Sequence, residues 1–216
     1  MITTENIVKL RQSTGAGILD CKKALENSNG DIEKAAIYLR EKGITTAAKK
    51  ADRIASEGVV ASYIHMGGKI GVLLEVNCET DFVANSTQFN ELVKNIALQI
   101  AASKPECIAI SDVNLANLEN EKQIFKAQAI NEGKPNAIIE KMVEGRVKKY
   151  YQDNCLLEQF YVKDPSKTIT TVLNEAILAI GEKITIRRFT RYEMGEGLVK
   201  RSENFAEEIQ KQITNK

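Results

Sequence analysis

Few residues in this chain are of a type and spacing that could do covalent chemistry. It has one histidine, His65, and four cysteines, Cys21, Cys78, Cys107 and Cys155, with no C-x-x-C pair among them. A tetrahedral zinc site draws its ligands from closely spaced Cys and His, so these spacings argue against a metal centre and a disulfide framework. They fit buried thiols in a reducing compartment. No nucleophile, base and orienting group fall together, and there is neither a glycine-rich phosphate loop nor a P-loop lysine. A hydrolase or metalloenzyme is therefore disfavoured, and no cofactor is expected. The segment that remains is Thr80-Asp81-Phe82-Val83, set between an apolar strand and an amphipathic helix. Loops at strand ends are held by a rigid scaffold and often carry binding groups. The residues alone leave two readings: Asp81 caps a short turn and Phe82 packs on the sheet edge, which they favour, or Phe82 projects outward. Tyr150-Tyr151, after Arg146-Val147-Lys148-Lys149, could stack on RNA. A solvated helix end explains the same residues better, because Lys and Arg suit helix C-termini.

The elements that must position these residues follow from periodicity. Val59, Ala61, Tyr63 and His65 alternate with Val60, Ser62, Ile64 and Met66, and Gly67-Gly68 reads as a two-residue hairpin turn. His65, at the hairpin end, reads as a surface residue. Ile70, Val72, Leu74, Val76 and Cys78 then line one face of a second strand. After the Thr80–Val83 segment, Phe89, Leu92, Val93, Ile96, Ala97 and Ile100 mark a helix closed by Pro105. Helices are expected near 117–132 and 137–150, a turn at 163–166, a helix over Thr168–Ile180 ended by Gly181, and a third strand over Ile184–Tyr192. Asn204–Gln212 reads as a terminal helix within 201–216. The body, 58–200, is thus α+β: a small antiparallel sheet packed with helices.

Ahead of it stands a helical head, 1–44. Thr4 is a candidate cap for the first helix, Thr14-Gly15-Ala16-Gly17 breaks it, and the second carries Ile18, Cys21 and Leu25 on one stripe. Asp31 caps a third helix with Ile32, Ala35, Ala36 and Leu39 inward, and Gly43 reads as its C′ residue. Ile18 and Leu19 are helix neighbours and cannot both face one core, so one belongs at the surface, as a stray apolar residue or as part of a contact patch. Residues 45–57 are rich in Ala and Lys without a sustained apolar face, and read as a solvated helical or extended linker.

Composition bounds the partners. The chain's 216 residues carry 30 Lys+Arg against 29 Asp+Glu, a net charge of +1, with 43% hydrophobic and 27% charged residues. This is globular composition, without the basic excess that direct nucleic-acid binding requires. No apolar run approaches the roughly 18–20 residues of a membrane span, and MITTENIVKLRQST lacks a signal peptide's apolar stretch.

Four runs resemble a known family. Leu10-Arg11-Gln12-Ser13-Thr14-Gly15-Ala16-Gly17-Ile18-Leu19-Asp20-Cys21-Lys22-Lys23-Ala24-Leu25 is similar to the amino-terminal signature of translation elongation factor Ts. So are Val76-Asn77-Cys78-Glu79-Thr80-Asp81-Phe82-Val83-Ala84, Ala101-Ala102-Ser103-Lys104-Pro105 and Glu140-Lys141-Met142-Val143-Glu144-Gly145-Arg146, in the family's order. The resemblance implies a ubiquitin-associated-like three-helix head and nucleotide exchange on elongation factor Tu, without covalent chemistry of its own. It implies that Phe82 is an apolar wedge beside the partner's magnesium site, that Asp81 works near the phosphates, and that Thr80 and Val83 hold the turn. Arg11, Ile18 and Leu19 would grip the GTPase domain from the head. Many members carry paired methionines where this chain has Ile18 and Leu19, and longer members have a second core subdomain and an inserted coiled coil. This chain resembles the short, single-core form, two copies of which could pair to restore the missing half. A binding adaptor without exchange activity is the alternative function. The Ile-, Asn- and Lys-rich composition, and a body similar to cyanobacterial and plastid members, point to a plastid stroma, with bacterial cytoplasm the alternative.

Overall fold

The computed structural model describes residues 2–133 and 135–198. The terminal helix expected within 201–216 lies outside them. The architecture is α+β, as the periodicities require. Helices α1 (Thr4–Thr14), α2 (Ile18–Asn27) and α3 (Ile32–Lys50) come first. Strands β1 (Glu57–His65) and β2 (Ile70–Cys78), the short α4 (Asp81–Ala84) and α5 (Thr87–Ser103) follow. The chain then forms α6 (Leu115–Asn131), α7 (Asn136–Asn154), a two-stranded ribbon β3 (Phe160–Tyr161) and β4 (Asp164–Thr168), α8 (Ile169–Ile180) and β5 (Thr185–Glu193). The main sheet is antiparallel in the order β1-β2-β5, with Val60 opposite Glu75 and Leu74 opposite Phe189.

One face of β2, formed by Val72, Leu74, Val76 and Cys78, is buried against Phe89, Val93, Ile96 and Ile100 of α5 and Ile169 and Ile177 of α8. Burying each large side chain contributes about 1.5–3 kcal/mol, which holds the sheet and its two helices as one core. On the other face Glu75 is covered by Arg187 and Arg188, whose guanidinium groups lie 2.7 and 2.6 Å from its oxygens. Their hydrogen bonds, Arg187's first, hold its carboxyl below the usual range. Gly58 opens β1 with φ 142°, and a Cβ there would stand 2.2 Å from the Val76 carbonyl oxygen. Only glycine lets the two strands meet so closely at that point.

Several boundaries differ from the sequence reading. The first helix is capped by Thr3, whose hydroxyl accepts from the Asn6 N–H, and not by Thr4. The hairpin is not a two-residue turn: His65 pairs with Ile70, so Met66–Lys69 all lie in the loop, and Met66, Gly67 and Gly68 all adopt positive φ. Gly43 does not end the third helix. It is buried inside α3, where a Cβ would come 3.2 Å from the Asn174 carbonyl oxygen of α8. Its missing side chain serves close helix packing, while the helix runs on to Lys50. Residues 45–50 of the expected linker are therefore helical, and Ala47 packs on the sheet core. Leu178 of α8 in turn packs on the head core of Leu10, Cys21, Leu25 and Leu39. Helices α3 and α8 thus join head to body.

Candidate partner-binding site

Between the buried Cys78 at the end of β2 and the buried Val83 and Ala84, the chain makes one tight helical turn. Thr80, not Asp81, is its cap: the Thr80 hydroxyl oxygen accepts from the Val83 N–H at 3.3 Å. That hydroxyl also donates to Glu182 Oε1 at 2.7 Å, while Glu182 Oε2 accepts the backbone N–H groups of Glu79 and Thr80, each at 3.1 Å. Asn85 closes the turn from the other side, donating to the Asp81 carbonyl at 2.9 Å. Val83 is the anchor in the core, and the turn directs its two remaining side chains outward. Asp81 is exposed, and Phe82 is 82% exposed, so the edge-packed ring favoured by the residues alone is incorrect. An aromatic ring in water on a turn fixed by five hydrogen bonds is a preformed apolar projection.

The residues that aim this turn were not singled out in the sequence. Glu182 follows Gly181, the left-handed cap of α8 at φ 86°. Glu79 accepts the Lys183 N–H at 2.6 Å and both its oxygens lie within 3.3 Å of Arg53 Nη1. The Lys183 hydrogen bond, helped by Arg53, holds the Glu79 carboxyl below the usual carboxylate range. Lys183 Nζ donates to the Ala51 and Arg53 carbonyls at 2.6 and 2.9 Å, and Lys50 Nζ to the Gly181 carbonyl at 2.5 Å. The end of α3, the end of α8 and the root of the turn therefore share one polar junction.

The head presents a second patch. Gly15, at φ 68°, ends α1 by donating to the Arg11 carbonyl at 2.8 Å, and α2 starts at Ile18. Both Ile18 and Leu19 are exposed, 55% and 72%, so the expectation that Ile18 lies on the inward stripe with Cys21 and Leu25 does not hold. The inward residue preceding Cys21 is Ala16, which is buried and whose carbonyl accepts the Cys21 thiol. Ile18 lines an apolar groove of about 380 Å³ with Ile7, Val8 and Arg11. Asp20, next to the patch, pairs with Lys42 of α3.

The other candidates stand apart. Half-buried His65 contacts the Tyr63 hydroxyl through Nδ1 at 3.0 Å. Tyr150 and Tyr151 pack on Val113, Leu118 and Cys155 at the root of the α6–α7 pair, and Arg146 lies 5.5 Å over the Phe125 ring. Among the described residues, no group of three or more His, Cys, Asp or Glu is placed to hold a metal ion. Nor is any described helix long and apolar enough to cross a membrane.

Against known proteins, the sequence model of the family described as Elongation factor TS matches residues 5–196. A curated relative named Elongation factor Ts, from Desulforamulus reducens, is 58% identical over 212 residues, covering 98% of both chains. Proteins of the same name from Acetivibrio thermocellus and Desulfitobacterium hafniense are 58% and 57% identical, covering 99% and 98% of both chains respectively. These relatives are bacterial, and the expectation of a plastid protein finds no support in them.

Proposed function

The chain belongs to the elongation factor Ts family, and on that premise we propose that it serves translation elongation as the guanine-nucleotide exchange factor of elongation factor Tu, in a bacterial cytoplasm. The observation that carries the reading is the exposed Phe82 ring on a turn held by Thr80, Val83 and Glu182. In this reading Phe82 enters the GTPase domain beside its nucleotide cleft, and Asp81 sits toward the phosphate end. Thr80 and Val83 fix the turn. Arg11, Ile18 and Leu19 hold the same domain from the head, where Ile7, Val8 and Ile18 form an apolar groove edged by the Arg11 cation.

Energetics explain why two contacts are needed. A factor that loosens a nucleotide is itself loosened by that nucleotide to the same extent. Each tenfold weakening requires about 1.4 kcal/mol of differential binding. Dislodging a tightly held diphosphate therefore takes several kcal/mol, more than one ring supplies. Two contacts that both favour the distorted pocket supply it together. The partner's Mg²⁺ bridges phosphates and protein, so displacing it weakens many contacts at once. The protein performs no covalent step in this scheme.

The test is release of a fluorescent GDP analogue from elongation factor Tu. Catalytic amounts of this protein should accelerate release, and a stable complex should form when nucleotide is absent. A complex that forms while release stays at its spontaneous rate would instead establish a binding adaptor. Pairing of two copies is part of the same proposal: Val60, Ile64 and Leu73 are exposed on the outer face of the sheet, where a second core would find an apolar surface.

A further inference from the structure

The four cysteines are distant in sequence, yet two of them meet in the fold. Residues 106–108 run beside residues 154–157 as a short parallel pairing. The Asn154 carbonyl accepts the Glu106 and Cys107 N–H groups at 2.8 and 3.2 Å. The Leu156 and Leu157 N–H groups return to the Cys107 and Ile108 carbonyls at 2.9 and 3.0 Å. This pairing puts Cys107 directly opposite Cys155, with their Sγ atoms 3.5 Å apart. Backbone neighbours across such a pairing lie about 4.8 Å apart, inside the roughly 4.4–6.8 Å that a disulfide spans. Cys21 and Cys78 have no such neighbour and hydrogen-bond to the Ala16 and Thr80 carbonyls.

We propose that Cys107 and Cys155 form a peroxide-oxidisable dithiol, whose disulfide staples the root of the α6–α7 helix pair to the segment that leads into it. The chemistry balances. The Cys107 thiolate attacks one oxygen of hydrogen peroxide, the O–O bond breaks, and the departing hydroxide takes a proton to leave as water. The sulfenic acid left on Cys107 then meets the Cys155 sulfur. The S–S bond forms, the S–O bond breaks, and the Cys155 proton leaves with the hydroxide as a second water. Two thiols are oxidised by two electrons and one peroxide is reduced.

The order of the steps follows from the surroundings. Cys155 is fully buried, whereas Cys107 is partly exposed and is the sulfur a peroxide can reach. Burial raises both thiols, Cys155 up to about 12. Access therefore makes Cys107 the thiol that is oxidised first. Because thiolate is the reactive form, cross-linking below the Cys107 pKa should speed up about tenfold for each pH unit.

The test treats the full chain with hydrogen peroxide, alkylates the remaining thiols in denaturant and reads the digest by mass spectrometry. Four free thiols should fall to two, with Cys107 and Cys155 peptides joined within one chain and released by dithiothreitol. Cys107→Ser, at a partly exposed position, should stay folded by circular dichroism and lose the cross-link. Cys155→Ala should leave a Cys107 sulfenic acid that dimedone traps. Four persisting thiols would overturn the proposal. So would Cys107 advancing to sulfinic acid beside a free Cys155, or disulfides that join separate chains.

Discussion

At the scale of single residues, Phe82 and Ile18 separate function from stability, because neither contributes to a core. The Phe82 ring is 82% exposed, so Phe82→Ala should change folding stability by less than about 0.5 kcal/mol. If it is the wedge, the same change should slow catalysed GDP release by about tenfold or more, the equivalent of about 1.4 kcal/mol. Unfolding by urea and release of a fluorescent GDP analogue measure the two effects independently. Ile18→Asp should likewise leave thermal unfolding nearly unchanged. It should weaken complex formation with the nucleotide-free GTPase by about tenfold or more, since it places an unpaired charge in an apolar contact. Titration calorimetry reads that loss, and unchanged affinity would remove the head patch from the interface. Much at this scale was legible: the turn stood out because it joins an apolar strand to an amphipathic helix. Which way Phe82 points was not legible, because that depends on Val83 taking the core position and Thr80 the cap.

At the scale of elements, local periodicity located what local forces determine. The stripe from Phe89 to Ile100 is buried as the spacing requires, and Gly181 ends α8 in the left-handed region. Gly43 misled because a helix-breaking signal and a close-packing signal are the same residue type; only the Asn174 backbone at 3.2 Å distinguishes them. Glu79 and Glu182 were illegible for a different reason. Their partners are 102 to 104 residues away, and nothing in the neighbouring sequence announces them. The junction they form is acid-sensitive. The folded-state pKa of Glu79 is depressed, so its contribution is present above the unfolded value of about 4.3 and is lost as pH falls through the folded value. Glu79→Gln should therefore be less stable than the parent at pH 7, with the difference closing in acid. Urea unfolding at a series of pH values checks this, and a difference independent of pH would assign the loss to packing.

At the scale of the whole molecule, head and body form a unit because α3 crosses from one core to the other. Leu39 packs in the head core, Ala47 on the sheet core, and Gly43 lies between them against α8. Gly43→Val should cost about 1–3 kcal/mol by forcing α3 away from α8. It should also slow exchange although it touches neither patch, because it alters how the head is carried relative to the turn. Differential scanning calorimetry and the release assay measure the pair. Lost stability with full exchange would show that the two patches act without a fixed spacing. The α+β class, the head and the antiparallel sheet were all legible from composition and period. The crossing helix was not, since an Ala- and Lys-rich stretch shows no apolar face long enough to betray the one small side chain, Ala47, that it packs on the sheet core.

The Thr80–Glu182 hydrogen bond sets an order of events during the chain's own synthesis. The donor hydroxyl is 102 residues ahead of the carboxylate that receives it. An emerging chain thus exposes the aromatic projection long before the group that steadies it has left the ribosome. A chain that stops short of Glu182 therefore carries the tip without the contact that steadies it.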